Sequence, residues 1–150
     1  MAIKFKEKLF KVLSRNDTGE TGGHQSGISI PKSVAGSSVF PHLGTETLNP
    51  RVTVTFYDER NIAWTFQYIY YNDLHFGKPR HQAHDEFRLT CVKDFIREYN
   101  VRSGCQIWFG IDENNVRRIG YIPDSASVED EAPKGTVVLK LSNKWKSIKF

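Results

Sequence analysis

Two stretches constrain this fold more than any other part of the chain: "RVTVTFYDERNIAWTFQYIYY", residues 51–71, and "QIWFGIDENNVRRIGYI", residues 106–122. Each holds two segments joined by a short polar turn, "DERN" at 58–61 and "DENN" at 112–115. Successive side chains of a strand point to opposite faces, so a period of two marks a half-buried strand. Val52, Val54 and Phe56 then share one face, as do Ile62, Trp64, Phe66, Tyr68 and Tyr70. Asp and Asn suit the intervening turns, so both stretches are predicted hairpins.

Three further strands are predicted at "KLFKVLS", "GISI" and "TVVLKL", with the first two pairing near the N-terminus. One helix is clear: Val92, Phe95, Ile96 and Tyr99 repeat at helical spacing, and Thr90 is placed to cap it. A second, shorter helix is expected just after Pro31, since proline suits a first turn. About seven strands with two short helices make a mainly β domain, a barrel or sandwich. The 150 residues suffice for one domain with a real core, and no repeat or linker divides them.

Apolar residues make up 39% of the chain, which excludes a disordered composition. No apolar run reaches the ~18–20 residues of a membrane helix, and the N-terminus lacks a secretion-signal core. A cytoplasmic protein is therefore expected, with Cys91 and Cys105 as free thiols. The net charge of +4 gives a mild attraction to polyanions.

The glycine-rich stretch "NDTGETGGHQSG", residues 16–27, invites a phosphate-binding reading. A P-loop requires a lysine where His24 stands, and a dinucleotide fingerprint must lead into a helix, whereas this loop leads into "GISIP". Asp124, Glu131 and Lys134 mimic a metal-nuclease pattern, but Pro133 and polar neighbours describe a solvated acidic loop instead. His75, His81, His84 and Asp85 crowd one segment without a second zinc-type ligand pair, so no metal site is assigned. No catalytic residues are assigned either.

Binding remains. A second loop, "YYNDLHFGKPRHQAHDEFR" at 70–88, leaves the most aromatic strand and carries Lys78, Arg80 and Arg88 with His81, Gln82 and His84. Such donors suit phosphates and guanine edges. Gly77 and Pro79 give the loop a defined shape.

The order of these segments resembles a B3-type DNA-binding domain. "KVLSRND", "GISIPKSVAGSSVFPHL", "WTFQYIYYN" and "FIREYNVRSGCQIWF" follow the B3 order across most of residues 8–111. "NDTGETGGHQSG" before "IP", with the later "YYN..HFGK.R", is more similar to the effector-DNA-binding domain of EcoRII-type restriction endonucleases. The resemblance implies an open seven-stranded pseudobarrel with two short helices. It also implies an N-arm at about 14–29 and a C-arm at about 72–88 that grip the major groove of double-stranded DNA. The implied target is of the CCWGG type, and the implied partner is a C-terminal nuclease domain outside these residues; a stand-alone or transcription-factor B3 domain is the alternative. Cofactors are not expected here, Mg²⁺ belonging to that nuclease domain, and a monomer is expected.

Carried onto this sequence, the resemblance covers Asn16, Asp17 and Thr18 of "NDTG", His24 of "TGGHQ", and Lys78 and Arg80 of "GK.R". The arm departs from the family at His81-Gln82-Ala83-His84, where relatives carry more charge, although Gln82 can reach a base edge. Arg80 is the expected guanine reader, because its fork matches O6 and N7. Asp17 has two open roles: accepting from a cytosine amine, or bonding its own loop backbone. Arg15, Asn16, His24 and Gln25 are further base or phosphate candidates, and Gly22 and Gly23 permit close backbone approach. Of the terminal lysines, Lys11 beside the N-arm is the best phosphate candidate.

Overall fold

The structure, a computed structural model, describes residues 2–22, 27–123, 128–142 and 144–150, with the backbone alone at 80, 129 and 130. Nine strands run through it: β1 Phe5–Val12, β2 Ile28–Ile30, β3 Arg51–Tyr57, β4 Ala63–Tyr71, β5 Glu86–Thr90, β6 Gln106–Asp112, β7 Arg117–Ile122, β8 Val138–Lys140 and β9 Trp145–Lys149. Three short helices are described, α1 Arg15–Thr18, α2 Lys32–Ala35 and α3 Lys93–Glu98. The strands form one sheet in the order β2-β5-β4-β3-β7-β6-β1-β9-β8. All neighbours are antiparallel except β3 and β7, which meet in parallel at Tyr57 and Arg118 alone.

Residues from across that order bury their side chains in one cluster: Ile28 and Ile30 of β2, Leu89 of β5, Tyr68 of β4, Phe56 of β3, Ile119 of β7, Phe109 of β6, Leu9 of β1 and Trp145 of β9. A sheet whose distant strands share one core must curl, and this one is an open half-barrel. Phe40 lies inside it, stacked on Tyr68 at 5.2 Å and against Phe109 at 5.5 Å. A smaller cluster of Phe10, Trp108, Ile122, Val128 and Ile148 covers the other face of β1, β6 and β9.

The two hairpins form as predicted, and by one shared device. Asp58 Oδ1 accepts from the N–H groups of Arg60 (2.8 Å) and Ile62 (3.0 Å). Asp112 Oδ1 accepts likewise from Asn114 and Val116, both at 2.9 Å. Asn61 and Asn115 then take the left-handed conformation, φ 60° and 62°, which asparagine tolerates better than most residues.

Three expectations need correction. The described residues hold nine strands rather than seven, because β5 and β9 went unassigned. The first two strands do not pair: β1 lies between β6 and β9, while β2 pairs with β5 at the far edge. Leu9 and Phe10 explain this, since both are fully buried on opposite faces and β1 needs cover on each side. Thr90 does not cap α3. Cys91 intervenes at φ 68°, the cap position falls on Val92, and the Thr90 hydroxyl donates to Gln67 O at 3.4 Å instead.

Candidate nucleic-acid interface

Each loop has one end on the same strand pair, β2 and β5, and its other end on β1 or β4. In the β2–β5 ladder Ile28 faces Leu89, Ser29 faces Arg88 and Ile30 faces Phe87. The N-arm therefore returns to the sheet beside the end of β5, and the C-arm enters at its start. Four residue steps along β5 separate the two roots, about 13 Å at the rise of a strand. Arg88 spans this ladder: its Nε donates to Glu86 Oε1 at 3.0 Å and a terminal nitrogen donates to Gly27 O at 3.5 Å. It thus belongs to strand β5 and links the two roots, and the C-arm proper ends at Asp85.

The N-arm opens on a helix that the sequence reading missed. Ser14 caps α1 through a reciprocal box: its hydroxyl accepts from Asp17 N at 3.2 Å, and Asp17 Oδ2 accepts from Ser14 N at 3.0 Å. The same carboxylate is ion-paired with Lys11. Burial opposes charge on Asp17, yet the Lys11 ammonium and the Ser14 bonds hold its carboxyl below the ordinary value. Burial pulls Lys11 below the usual lysine value against that attraction. Lys11 and Asp17 are both buried, and of the two roles open to Asp17 the bond to its own loop backbone is present.

Beyond α1 the arm folds back onto the domain. Gly19 ends the helix at φ 82°. Glu20 accepts from Ser103 N at 2.8 Å and from the Thr18 hydroxyl, which lies 3.1 Å from Arg15 O as well. Arg15, Asn16, Thr21 and Gly22 are left exposed. A Cβ on Gly22 would meet nothing within 4 Å. Gly23, His24 and Gln25 lie outside the described residues.

The C-arm stands on a clasp between two asparagines. Asn72 Oδ1 accepts from Asn49 N at 2.8 Å, Asn49 Oδ1 accepts from Asn72 N at 3.1 Å, and Asn72 Nδ2 donates to Thr47 O at 2.9 Å. Asn72 is almost wholly buried, so these bonds replace water. Asp73 then closes the arm on itself. Its carboxylate accepts from the backbone N–H of His84, meets His84 Nδ1 at 3.2 Å and pairs with Lys78 Nζ at 3.2 Å. The His84 N–H, ahead of the His84 ring and Lys78, holds the Asp73 carboxyl down at about 2. At the exit Asp85 takes Lys32 Nζ at 2.7 Å and the Tyr70 hydroxyl at 2.6 Å, with His75 Nε2 at 3.6 Å. Burial, then that carboxylate, pushes the Tyr70 phenol up to about 12.

Lys78, His81, Gln82 and His84 are exposed on this frame. Residues Arg80–Gln82 form a single 3₁₀ turn, with Gln82 N bonded to Pro79 O at 2.8 Å. The Arg80 side chain lies outside the described atoms. Sequence reasoning missed Asn49, Asn72, Asp73 and Glu20, whose work is to hold the arms. The spacing of Ser14 and Asp17, a Ser-x-x-Asp pattern, was the one available signal for α1.

The acidic loop does something else. Glu131 lies 3.5 Å from Lys8, whose ammonium sits 4.3 Å from the Phe5 ring and 4.2 Å from the Trp108 ring. Asp124 lies outside the described residues. The aromatics Phe66, Tyr68 and Trp108 are core, and Trp64 is half-buried against it. Among the described residues no helix is long and apolar enough to cross a membrane.

Comparison with known proteins adds an independent line. Part of the chain is 43% identical, over 75 residues, to the type II restriction enzyme EcoRII of Escherichia coli; the match covers 48% of this chain and 18% of that enzyme. A crystal structure of the UbaLAI restriction endonuclease B3 domain with cognate DNA covers 80% of this chain and 68% of its own, at 20% identity and a TM-score of 0.49. At that level the likeness assigns nothing to this chain. Residues 4–95, more than half of the chain, match the family described as "Restriction endonuclease EcoRII, N-terminal", and the chain belongs to that family.

Proposed function

We propose that this domain recognises double-stranded DNA by sequence, reading the major groove with its two arms. It would serve as the effector or target-recognition domain of a type II, IIE-like restriction endonuclease. One observation carries the reading: one root of each arm lies on the β2–β5 strand pair, with about 13 Å of strand between them, in a chain of the EcoRII N-terminal family. The major groove of B-DNA is about 12 Å wide, so one arm can enter it beside each strand.

In this reading Arg80 presents its fork to a guanine, and Lys78 and Arg15 neutralise phosphates. Asn16, Thr18, His24, Gln25, His81, Gln82 and His84 offer polar contacts, and Gly22 and Gly23 let the N-arm backbone come close. Lys11, Asp17 and Arg88 act as positioning residues. The target is of the CCWGG type. Binding requires no cofactor, and Mg²⁺ serves a separate nuclease domain. The domain acts as a monomer on DNA in a bacterial cytoplasm. The alternative of a metal nuclease in the acidic loop is disfavoured, because Glu131 faces Lys8.

Selection of bound duplexes from a random pool, with a Mg²⁺ cleavage control, tests this. A single enriched motif without cleavage is expected. Unenriched recovery, or cutting by this chain alone, overturns the proposal.

A further inference from the structure

The C-arm carries one group that phosphate contacts and hydrogen-bond readout leave unexplained. Phe76 is 47% exposed at the end of the 3₁₀ turn Asp73–Phe76. Its neighbour Leu74 is half-buried, and Leu74 N bonds to His84 O at 3.2 Å. The turn thus directs one apolar residue inward and leaves the larger one in water. Among the described residues Phe76 stacks on no other ring, while Phe87 at the root of the arm stacks on both Tyr68 and Tyr70. Phe76 is therefore not a plug for the core.

Its backbone is fixed on both sides. His75 N donates to Asn72 O at 2.9 Å, and Gly77 closes the turn at φ 86° with its N–H on Asp73 O. Asp73 ties the same turn to His84 and Lys78. An exposed phenyl on such a frame loses little entropy when it meets a surface, since its main chain is already ordered. On the proposed DNA-binding face the partner presents an apolar atom among phosphates; the exposed sequence neighbours of the ring, His75 and Lys78, add donors there, although each also meets a carboxylate, Asp85 at 3.6 Å and Asp73 at 3.2 Å. In the major groove the one apolar group on an unmodified base edge is the C5 methyl of thymine.

We propose that Phe76 is a specificity-determining residue that packs on a thymine C5 methyl, making the C-arm sensitive to one T·A pair. This rests on the DNA-recognition reading above, and the test separates the two. The probe is the duplex enriched from the random pool, with each thymine replaced in turn by uracil, which lacks only that methyl. For the native protein, one replacement should weaken binding about fourfold, the value of one methyl group removed from contact. Phe76→Ala should bind the thymine and uracil duplexes equally, with an unchanged melting temperature, because the ring is exposed. Phe76→Leu should keep part of the discrimination.

A native protein indifferent to every uracil replacement overturns the inference, as does a Phe76→Ala variant that retains the full penalty. A ring wedged between base steps gives the first of these results, since unstacking does not depend on the methyl. An enriched duplex without thymine overturns it as well. In these three cases DNA recognition itself survives. Absence of DNA binding overturns both.

Discussion

Lys11 and Asp17 form an ion pair at the root of the N-arm, with 8% and 9% of their side chains exposed. The pair joins the end of strand β1 to the capping box of α1, so it fixes the angle at which the arm leaves the sheet. Breaking one side leaves the other charge buried and unpaired, which costs about 3–5 kcal/mol. Asp17→Ala should lower stability by that order in urea unfolding. Lys11→Met with Asp17→Ala should recover most of it, because no orphan charge remains. Equal losses in the single and double variants would contradict the assigned role.

Gly27 ends the N-arm at φ 90°, and a Cβ there would lie 2.4 Å from Leu89 O. No side chain fits without displacing the β2–β5 ladder. Gly27→Ala should cost at least about 1 kcal/mol and speed amide exchange at Ile28 and Leu89. Unaltered exchange would show that the arm is hinged elsewhere.

Asp73 makes the C-arm sensitive to acid. Its folded value, about 2, lies below the ordinary 3.8. The stabilisation is therefore complete above about pH 5 and is lost as pH falls through about 4 towards 2. The amide signals of His84 and Lys78 should follow one titration with a midpoint near 2, read by NMR. Asp73→Asn should abolish that titration and weaken DNA binding at neutral pH.

On the proposed reading, Arg80 serves sequence recognition and Lys78 serves attraction. Arg80→Ala should cost about 1–3 kcal/mol on the enriched duplex and relax preference at one base pair. Lys78→Ala should weaken all duplexes about equally and reduce the salt slope by about one. Binding curves on the enriched duplex and its single-base variants distinguish the two patterns. Uniform loss for Arg80→Ala would make it a phosphate contact.

Much of the sheet was legible because half-buried strands alternate. β3 and β4 announce themselves so; β6, buried almost throughout, and β7 were legible from the turn between them, and the Asp of each hairpin turn binds the backbone as its position suggested. β9 escaped because Ser147 and Ile148 are both buried, which erases the alternation. β5 was absorbed into the basic loop before it, although Phe87 and Leu89 do alternate. The location of both arms was legible in glycine, proline and charge. Their internal logic was not, because it rests on long-range bonds: Asn72 with Asn49, Glu20 with Ser103, and Arg88 with Gly27. Asp17 illustrates the limit. Its own-backbone role could be read from Ser14 three residues earlier, but burial against Lys11 depends on how the arm folds back.

The central claim is sequence-specific recognition of duplex DNA by the two arms. Its most direct measurement is the dissociation constant for the enriched duplex against a scrambled one, across a salt series. We expect binding of the enriched duplex to be at least about a thousandfold tighter, with affinity for both falling steeply and log-linearly as salt rises. Equal affinity for the two duplexes, or affinity indifferent to salt, would contradict it.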